Sequence, residues 1–212
     1  MVKTIRRLAR DIRVKPLYDA LDQMQGEAVK LGAETVIEMG GSTGYRFVRT
    51  LHPGLAPVGF VEIDPEKLGK AQWNLSDAGI EGVTFYQGDV TNLRGVVPDN
   101  AADVVRANDL LEHLDDAQIT QALSEFRRIG RFLIAFSPNR FFKLTTYATA
   151  AFDWNYPHRE EILARGGLDL DHKQDFTGKS FIQTIEDNGY DVRKTRLWVG
   201  FGWTGVLAER RQ

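Results

Sequence analysis

The chain has 212 residues, a formal net charge of −2 and 42% hydrophobic residues, which suits one domain with one sizeable core. It contains no cysteine, and this excludes disulfides, cysteine-ligated zinc, iron–sulfur clusters and cysteine nucleophiles. No apolar run approaches the ~20 residues of a membrane-spanning helix, and the N-terminus shows no signal-peptide pattern, so we expect a cytoplasmic protein.

The N-terminal region has a helical pattern. Apolar residues recur at helical spacing over 5–12 and again over 17–31, with an interruption at Pro16. We therefore predict two helices that form a cap over residues 1–33. Residues 1–15 also contain six basic side chains and one acidic side chain. One interpretation of this charge is an arm that binds nucleic acid or an anionic membrane surface. A solvated basic helix face is the favoured interpretation.

A glycine-rich turn follows the first predicted strand. The strand, residues 35–37, is apolar and runs into Glu38, and Gly40, Gly41 and Gly44 then precede a helical pattern. Glycines leave room for a ligand at a helix N-terminus. The spacing is neither that of a dinucleotide turn nor that of a phosphate loop. Because Glu38 would repel phosphate, the turn indicates a nucleoside that carries positive charge, such as S-adenosylmethionine.

The turn resembles motif I of the class I (Rossmann-like) S-adenosylmethionine-dependent methyltransferases, an acidic residue followed by spaced glycines. It departs from that motif at Ser42, which stands where the central glycine is usual, with an extra glycine beside it. A glycine-rich turn is also purely structural in many α/β proteins. The resemblance implies S-adenosylmethionine as cofactor, with contacts from Glu38, Gly40, Gly41, Ser42 and Gly44.

A second predicted strand, residues 58–63, carries an acidic residue, Glu62, at its C-terminal end. Rossmann-type folds place an acid at this point to accept hydrogen bonds from the ribose hydroxyls, so we predict that role for Glu62 and assign its neighbour Ile63 to the same site. The alternative is a solvated carboxylate at the end of a strand. Asp64, followed by proline, is predicted to cap the next helix.

A third predicted strand, residues 83–86, leads to Asp89 and Val90. The position resembles motif III of the methyltransferases, in which the acid accepts a hydrogen bond from the adenine amine and the next backbone N–H reads the ring. We therefore predict that Asp89 and Val90 bind adenine, at the edge of a strand adjacent to the glycine turn.

A fourth predicted strand, residues 102–107, is followed by Asn-Asp-Leu-Leu-Glu-His-Leu over 108–114. This segment resembles the motif IV region of small-molecule methyltransferases. The version found in enzymes that methylate exocyclic amines of DNA, Asn-Pro-Pro-Tyr, is absent. The resemblance implies that Asn108 and Asp109 contact the cofactor.

Residues 139–173 follow the fifth predicted strand, residues 132–136, without a clear period and with many aromatic side chains. Long loops of this kind tend to cover functional sites. We predict that the segment is a lid that binds the methyl acceptor; a small core beneath a long loop is the alternative. The predicted acceptor-binding residues are Phe141, Trp154, Tyr156, His158 and His172.

The remaining pattern predicts a helix that starts at Thr177 and two closing strands over 190–199 and 203–208. The predicted fold is therefore a single α/β domain: a doubly wound, mostly parallel seven-stranded sheet with an antiparallel C-terminal hairpin, helices on both faces and an N-terminal helical cap. The resemblance to the methyltransferase class extends over residues 34–208.

Methyl transfer from a sulfonium needs in-line positioning, and a hydroxyl or amine acceptor also benefits from a general base. His113 is the predicted base. Glu112 with His113 as ligands of a divalent ion is a less favoured interpretation, and we expect no metal.

We predict an enzyme that methylates an O, N or C atom of a small, partly apolar acceptor. The alternatives are a catalytically inactive binding or regulatory protein, indicated by Ser42, and an RNA or protein methyltransferase that uses the basic arm. Nucleic acid is not an expected partner, and the oligomeric state is open.

Overall fold

The computed structural model describes residues 2–138, 159–164, 172–198 and 202–212, with the side chains of residues 2–14, Arg159 and Trp198 excepted. The helices there are Val2–Lys30 (α1), Tyr45–Thr50 (α2), Pro65–Asp77 (α3), Asp116–Ile129 (α4), Arg159–Ala164 (α5) and Gly178–Asp187 (α6). The strands are Thr35–Met39 (β1), Ala56–Glu62 (β2), Thr84–Gln87 (β3), Ala102–Asn108 (β4), Gly130–Pro138 (β5), Tyr190–Trp198 (β6) and Trp203–Arg210 (β7).

The seven strands form one sheet in the order β3-β2-β1-β4-β5-β7-β6. The first five strands pair in parallel, and β7 pairs antiparallel with both β5 and β6. This confirms the predicted doubly wound sheet with its antiparallel hairpin. The chain order reverses at β1, which lies between β2 and β4, and ligands of open α/β sheets bind at such a reversal, beyond the carboxyl ends of the strands.

Two apolar clusters, one on each face of the sheet, hold the helices in place. One cluster contains the buried faces of α4 and α6, with Phe126 and Phe181 fully buried, and the other contains those of α1, α2 and α3, with Leu21, Phe47 and Leu75 fully buried. Each helix buries residues at helical spacing, which is the pattern that the sequence shows. The predicted caps at Asp64 and Thr177 are confirmed, since they accept backbone N–H groups at the starts of α3 and α6, and Asp115 does the same at the start of α4.

The N-terminal cap differs from the prediction of two helices. A single helix, α1, runs from Val2 to Lys30 with Pro16 inside it. Proline removes one backbone hydrogen bond from a helix, and the prediction rested on that loss. Burial of Leu17, Leu21 and Met24 against the sheet in the turns after the proline offsets it. Within the described residues, no helix is long and apolar enough to cross a membrane.

Candidate functional site

The glycine turn lies between β1 and α2, at the point where the strand order reverses. Gly40, Ser42 and Gly44 all have positive φ angles, of 61°, 52° and 72°. Glycine adopts this conformation without strain, whereas a serine there is uncommon. The turn therefore has the backbone of a glycine turn at Ser42 even though the side chain departs from the motif.

Gly41, the extra glycine, is required by packing rather than by its φ angle. A Cβ atom at this position would lie 2.3 Å from Cζ of Phe60 and 2.8 Å from Cγ of Glu38. The fully buried Phe60 ring thus lies directly beneath the turn. No larger residue fits at position 41 unless this ring moves.

Glu62 connects the glycine turn to the end of β2. Its Oε2 accepts a hydrogen bond from the backbone N–H of Ser42 at 2.8 Å, and its Oε1 accepts one from the N–H of Asp64 at 3.0 Å. The carboxylate is buried and so holds two loops that would border a bound nucleoside. Ile63, the next residue, is 60% exposed and offers an apolar surface at the same edge.

Asp89 and Val90 follow β3. β3 pairs with β2, so it is separated from β1 and the glycine turn by one strand, and the expected direct adjacency is wrong. Asp89 is exposed, and its Oδ1 accepts hydrogen bonds from both the N–H and the hydroxyl of Thr91. Val90 is buried. The structure thus places the two residues at the same carboxyl edge as Glu62.

A cavity of about 310 Å³ opens above the glycine turn. It brings together predicted residues from both sides of the strand-order reversal, and it adds residues that the sequence did not indicate, chiefly Tyr18 from α1 and Arg46 from α2. The lining residues are Tyr18, Glu38, Gly40, Gly41, Ser42, Thr43, Tyr45, Arg46, Asn108 and Asp109.

Glu38 differs from the role expected of it, since its charge is already paired within the chain. It forms a buried ion pair with Arg106, the residue opposite it on β4, and accepts a hydrogen bond from the Asn108 amide at 3.4 Å. Burial raises the pKa of Glu38, and the guanidinium of Arg106 opposes that shift. The attraction of a cationic ligand to Glu38 is correspondingly reduced.

Arg106 was missed by sequence reasoning. Its guanidinium stacks on the Phe47 ring and donates to the carbonyl and hydroxyl of Thr50, which belong to α2. A charged residue in the middle of the apolar strand Val-Val-Arg-Ala was the available signal, because a buried charge needs a partner. The Glu38–Arg106 pair therefore fixes α2 against the floor of the cavity.

Asp109 links α2 and β7 at the wall of the cavity. It pairs with Arg46 of α2, and its Oδ1 accepts the indole N–H of Trp203 at 2.9 Å, which belongs to β7. Its φ angle is 50°, a strained value for aspartate. Strained residues of this kind cluster at functional sites, and Asp109 lies in the wall of the cavity.

Glu112, His113 and His172 form a cluster beyond the end of β4. The two imidazole rings are in edge contact, with centroids 4.9 Å apart, and Ser137 donates its hydroxyl to Oε2 of Glu112 at 3.1 Å. Burial and then repulsion from Asp109 raise the pKa of Glu112 well above its usual range. Asp109 also lines the cavity, so this cluster and the cavity border the same strand end.

Four of the predicted acceptor-binding residues, Phe141, Trp154, Tyr156 and His158, lie outside the described residues. His172 is described, and the contact with His113 places it in the cluster that contains the predicted base.

The chain is similar to known methyltransferases in part of its sequence and in its fold. Residues 36–131 match the family model of a methyltransferase domain. No curated protein matches the chain by sequence. Among solved structures, it is similar to mitomycin 7-O-methyltransferase (19% identity, TM-score 0.62), covering 85% of this chain and 50% of the other. It is also similar to an O-methyltransferase family protein from Burkholderia thailandensis (18% identity, TM-score 0.66), covering 93% of this chain and 56% of the other.

A further similar structure is the magnesium protoporphyrin IX methyltransferase of Synechocystis PCC 6803 with bound SAH (19% identity, TM-score 0.64), covering 96% of this chain and 87% of the other. The chain spans about half the length of the first two. The family match indicates a methyltransferase domain over residues 36–131, and the similar solved structures share the fold of the chain.

Proposed function

We propose that the protein transfers the methyl group of S-adenosylmethionine to a small, partly apolar acceptor. The observation that carries this proposal is the cavity above the glycine turn, at the strand-order reversal where ligands of doubly wound sheets bind. The acceptors named for two of the similar structures, mitomycin and magnesium protoporphyrin IX, are small molecules, and they agree with this acceptor class.

In this proposal the cofactor lies across the carboxyl ends of β1, β2 and β3. The methionine part occupies the cavity, beside Gly40, Gly41, Ser42, Asn108 and Asp109, and Gly44 completes the turn next to it. Arg46 and Tyr18, which line the same cavity, are suited to its carboxylate. The ribose faces Glu62, and the adenine packs on exposed Ile63 and reaches Asp89 and the backbone of Val90.

Glu38 contributes to this site through position rather than charge. Its pairing with Arg106 keeps β1 and β4 in register at the cavity floor. Selectivity for S-adenosylmethionine over NAD then comes from the shape of the turn, which lacks the glycine spacing of a dinucleotide fold.

Thermal shift and isothermal titration test cofactor binding. S-Adenosylmethionine and its demethylated product should each raise the melting temperature, because a ligand at 100 times its Kd stabilises the folded state by about 2.7 kcal/mol, whereas NAD and ATP should leave it unchanged. Stabilisation by NAD alone would contradict the proposal.

An adenine-site variant makes the titration specific. Asp89→Asn keeps an oxygen that accepts from Thr91 but replaces the other carboxylate oxygen with an amide NH₂ group, which donates and cannot accept from the adenine amine. Affinity should fall by about 1–2 kcal/mol with no change in stability. Asp77→Asn, an exposed carboxylate at the end of α3, is the matched control and should change neither.

We place the acceptor beside His113 and His172, beneath residues 139–173. His113 serves as general base there, taking the proton of a hydroxyl acceptor while the acceptor oxygen forms its bond to the methyl carbon and the sulfonium sulfur keeps the electron pair. The aromatic residues of the lid segment would exclude water from this step.

The double variant Trp154→Ala, Tyr156→Ala tests the lid. Turnover with a panel of phenols, alcohols and amines, followed by radiolabelled methyl transfer, should fall, while cofactor affinity and melting temperature stay near those of the parent. A parallel loss of cofactor binding would mean that the segment is core. Cofactor binding by the parent without turnover on any acceptor would instead favour a binding or regulatory protein.

A further inference from the structure

Glu112, His113 and His172 place three metal-ligating groups together. One carboxylate oxygen of Glu112 and one ring nitrogen of each histidine all lie within 4.8 Å of one another. Glu112 and His113 belong to the short 3-10 turn Leu111–His113 after β4, whereas His172 comes from a segment almost 60 residues further along the chain. The sequence indicated only an adjacent pair, which is why we expected no metal.

The chain backbone holds this arrangement together. The carbonyl oxygen of Glu112 accepts hydrogen bonds from the N–H groups of Lys173 at 2.8 Å and of Gln174 at 3.0 Å. These bonds attach the segment that carries His172 to the turn that carries the other two groups. Lys173 and Gln174 also donate from their side chains to Gln118 and Asp116 at the start of α4. The His172 segment is therefore fixed independently of the imidazole contact.

The carboxylate of Glu112 is incompletely satisfied. The residue is fully buried, and Ser137 donates to Oε2, but Oε1 is buried with no hydrogen-bond partner. A buried carboxylate oxygen without a partner is costly, and such groups are commonly paired or bound to a cation. The buried oxygen is thus a second observation, independent of the spacing, that points to a cation.

We propose that Glu112, His113 and His172 bind a divalent first-row transition metal ion. Two imidazole nitrogens with one carboxylate favour Zn²⁺, Fe²⁺, Co²⁺ or Mn²⁺, whereas Mg²⁺ and Ca²⁺ prefer oxygen ligands. Ligand bonds of ~2.0–2.2 Å draw the three atoms closer than their present spacing, by side-chain rotation. Three protein ligands leave at least one coordination position open, as catalytic metal sites do.

The use of that open position rests on the proposed methyl transfer. A metal there would bind the acceptor hydroxyl, lower its pKa and hold its oxygen in line with the methyl group. The hydroxyl proton would pass to solvent when the acceptor binds the metal, before the transfer; the oxygen–carbon bond would then form while the sulfur–carbon bond breaks with its electron pair on sulfur. With the metal bound, activation of the hydroxyl by the metal would replace the general-base role proposed above for His113, which would then be a metal ligand.

Cobalt binding tests the site without requiring turnover. Untagged protein stripped with a chelator should bind one Co²⁺ per chain with visible d–d absorption, and Zn²⁺ but not Mg²⁺ should displace it. His113→Ala and His172→Ala should each weaken binding at least ~10-fold. His52→Ala, which removes a histidine whose ring accepts from the Gly54 N–H, is the matched control and should leave binding unchanged.

S-Adenosylmethionine titration on every variant separates the two proposals. A variant that binds the cofactor but not Co²⁺ is folded and supports the metal site. Wild-type protein that binds the cofactor but no Co²⁺, or Co²⁺ binding that survives both histidine substitutions, overturns it. Failure of the wild-type protein to bind the cofactor contradicts the proposed function and leaves the cobalt result to be judged alone.

Discussion

Replacement of Glu62 by glutamine should lower both the stability of the fold and the affinity for the cofactor. Both carboxylate oxygens accept backbone N–H groups, from Ser42 and Asp64. Glutamine keeps one acceptor oxygen and turns its NH₂ group toward the other N–H, so one charge-assisted hydrogen bond is lost at a buried position. We expect a loss of about 1.5–3 kcal/mol in the free energy of unfolding, before any cofactor is added.

The second effect of Glu62→Gln is on the cofactor. A ribose hydroxyl that donates to the carboxylate loses a charged acceptor, which weakens S-adenosylmethionine binding by a further ~1.5–3 kcal/mol. Urea unfolding measures the first quantity and isothermal titration the second. At this chain length the stability change corresponds to a melting temperature lowered by roughly 3–12 °C.

Asp64→Ala is the matched control for Glu62→Gln, because Asp64 caps α3 from the same loop. It should lower stability by about 0.5–2 kcal/mol and leave cofactor affinity unchanged. The reasoning about Glu62 fails if the glutamine variant unfolds at the parent urea concentration and binds the cofactor with parent affinity.

Two further substitutions test the packing around the cavity by urea unfolding. Gly41→Ala forces a methyl group against the Phe60 ring and should lower the free energy of unfolding by about 1–3 kcal/mol. Gly69→Ala, at an open position of α3, is the control and should raise it by about 0.5–1 kcal/mol. Equal effects of the two substitutions would refute the close approach of Gly41 to Phe60. Arg106→Leu leaves Glu38 buried without its partner and should cost about 3–5 kcal/mol, and a loss below 1 kcal/mol would show that the pair is dispensable.

Another substitution, Asp103→Asn, tests the pH dependence of stability. Burial alone would raise the pKa of Asp103, but hydrogen bonds from Glu34 and Thr35 hold it below its ordinary value. A lowered folded-state pKa contributes stability that is present above about pH 4 and lost as the pH falls through the folded-state value. The parent should therefore exceed the asparagine variant in stability at pH 7, and the difference should shrink below pH 4; a constant difference would refute this origin.

Local pattern was enough to predict most of the fold. The predicted helix caps at Asp64 and Thr177 and the apolar strands were correct because each depends on neighbours in sequence. The continuous helix through Pro16 was not predicted, because it depends on burial against the sheet, which propensity does not contain.

The site was less predictable, since its decisive contacts join distant residues. Glu38 on β1 pairs with Arg106 on the neighbouring strand β4, and Trp203 on β7 donates a hydrogen bond to Asp109. Neither partner carries a motif. The cluster of His172 with Glu112 needs the backbone bonds at Lys173 and Gln174, which no spacing in the sequence reveals.

Both ends of the aromatic segment 139–171 are attached to Glu112. Ser137, just before it, donates to the Glu112 carboxylate, and Lys173, just after it, donates to the Glu112 carbonyl. Loop-closure entropy rises slowly with length once two ends are fixed, so insertions and deletions between them cost little. If the segment binds the acceptor as proposed, a change of its length or sequence would alter the choice of acceptor without a change to the strands of the sheet.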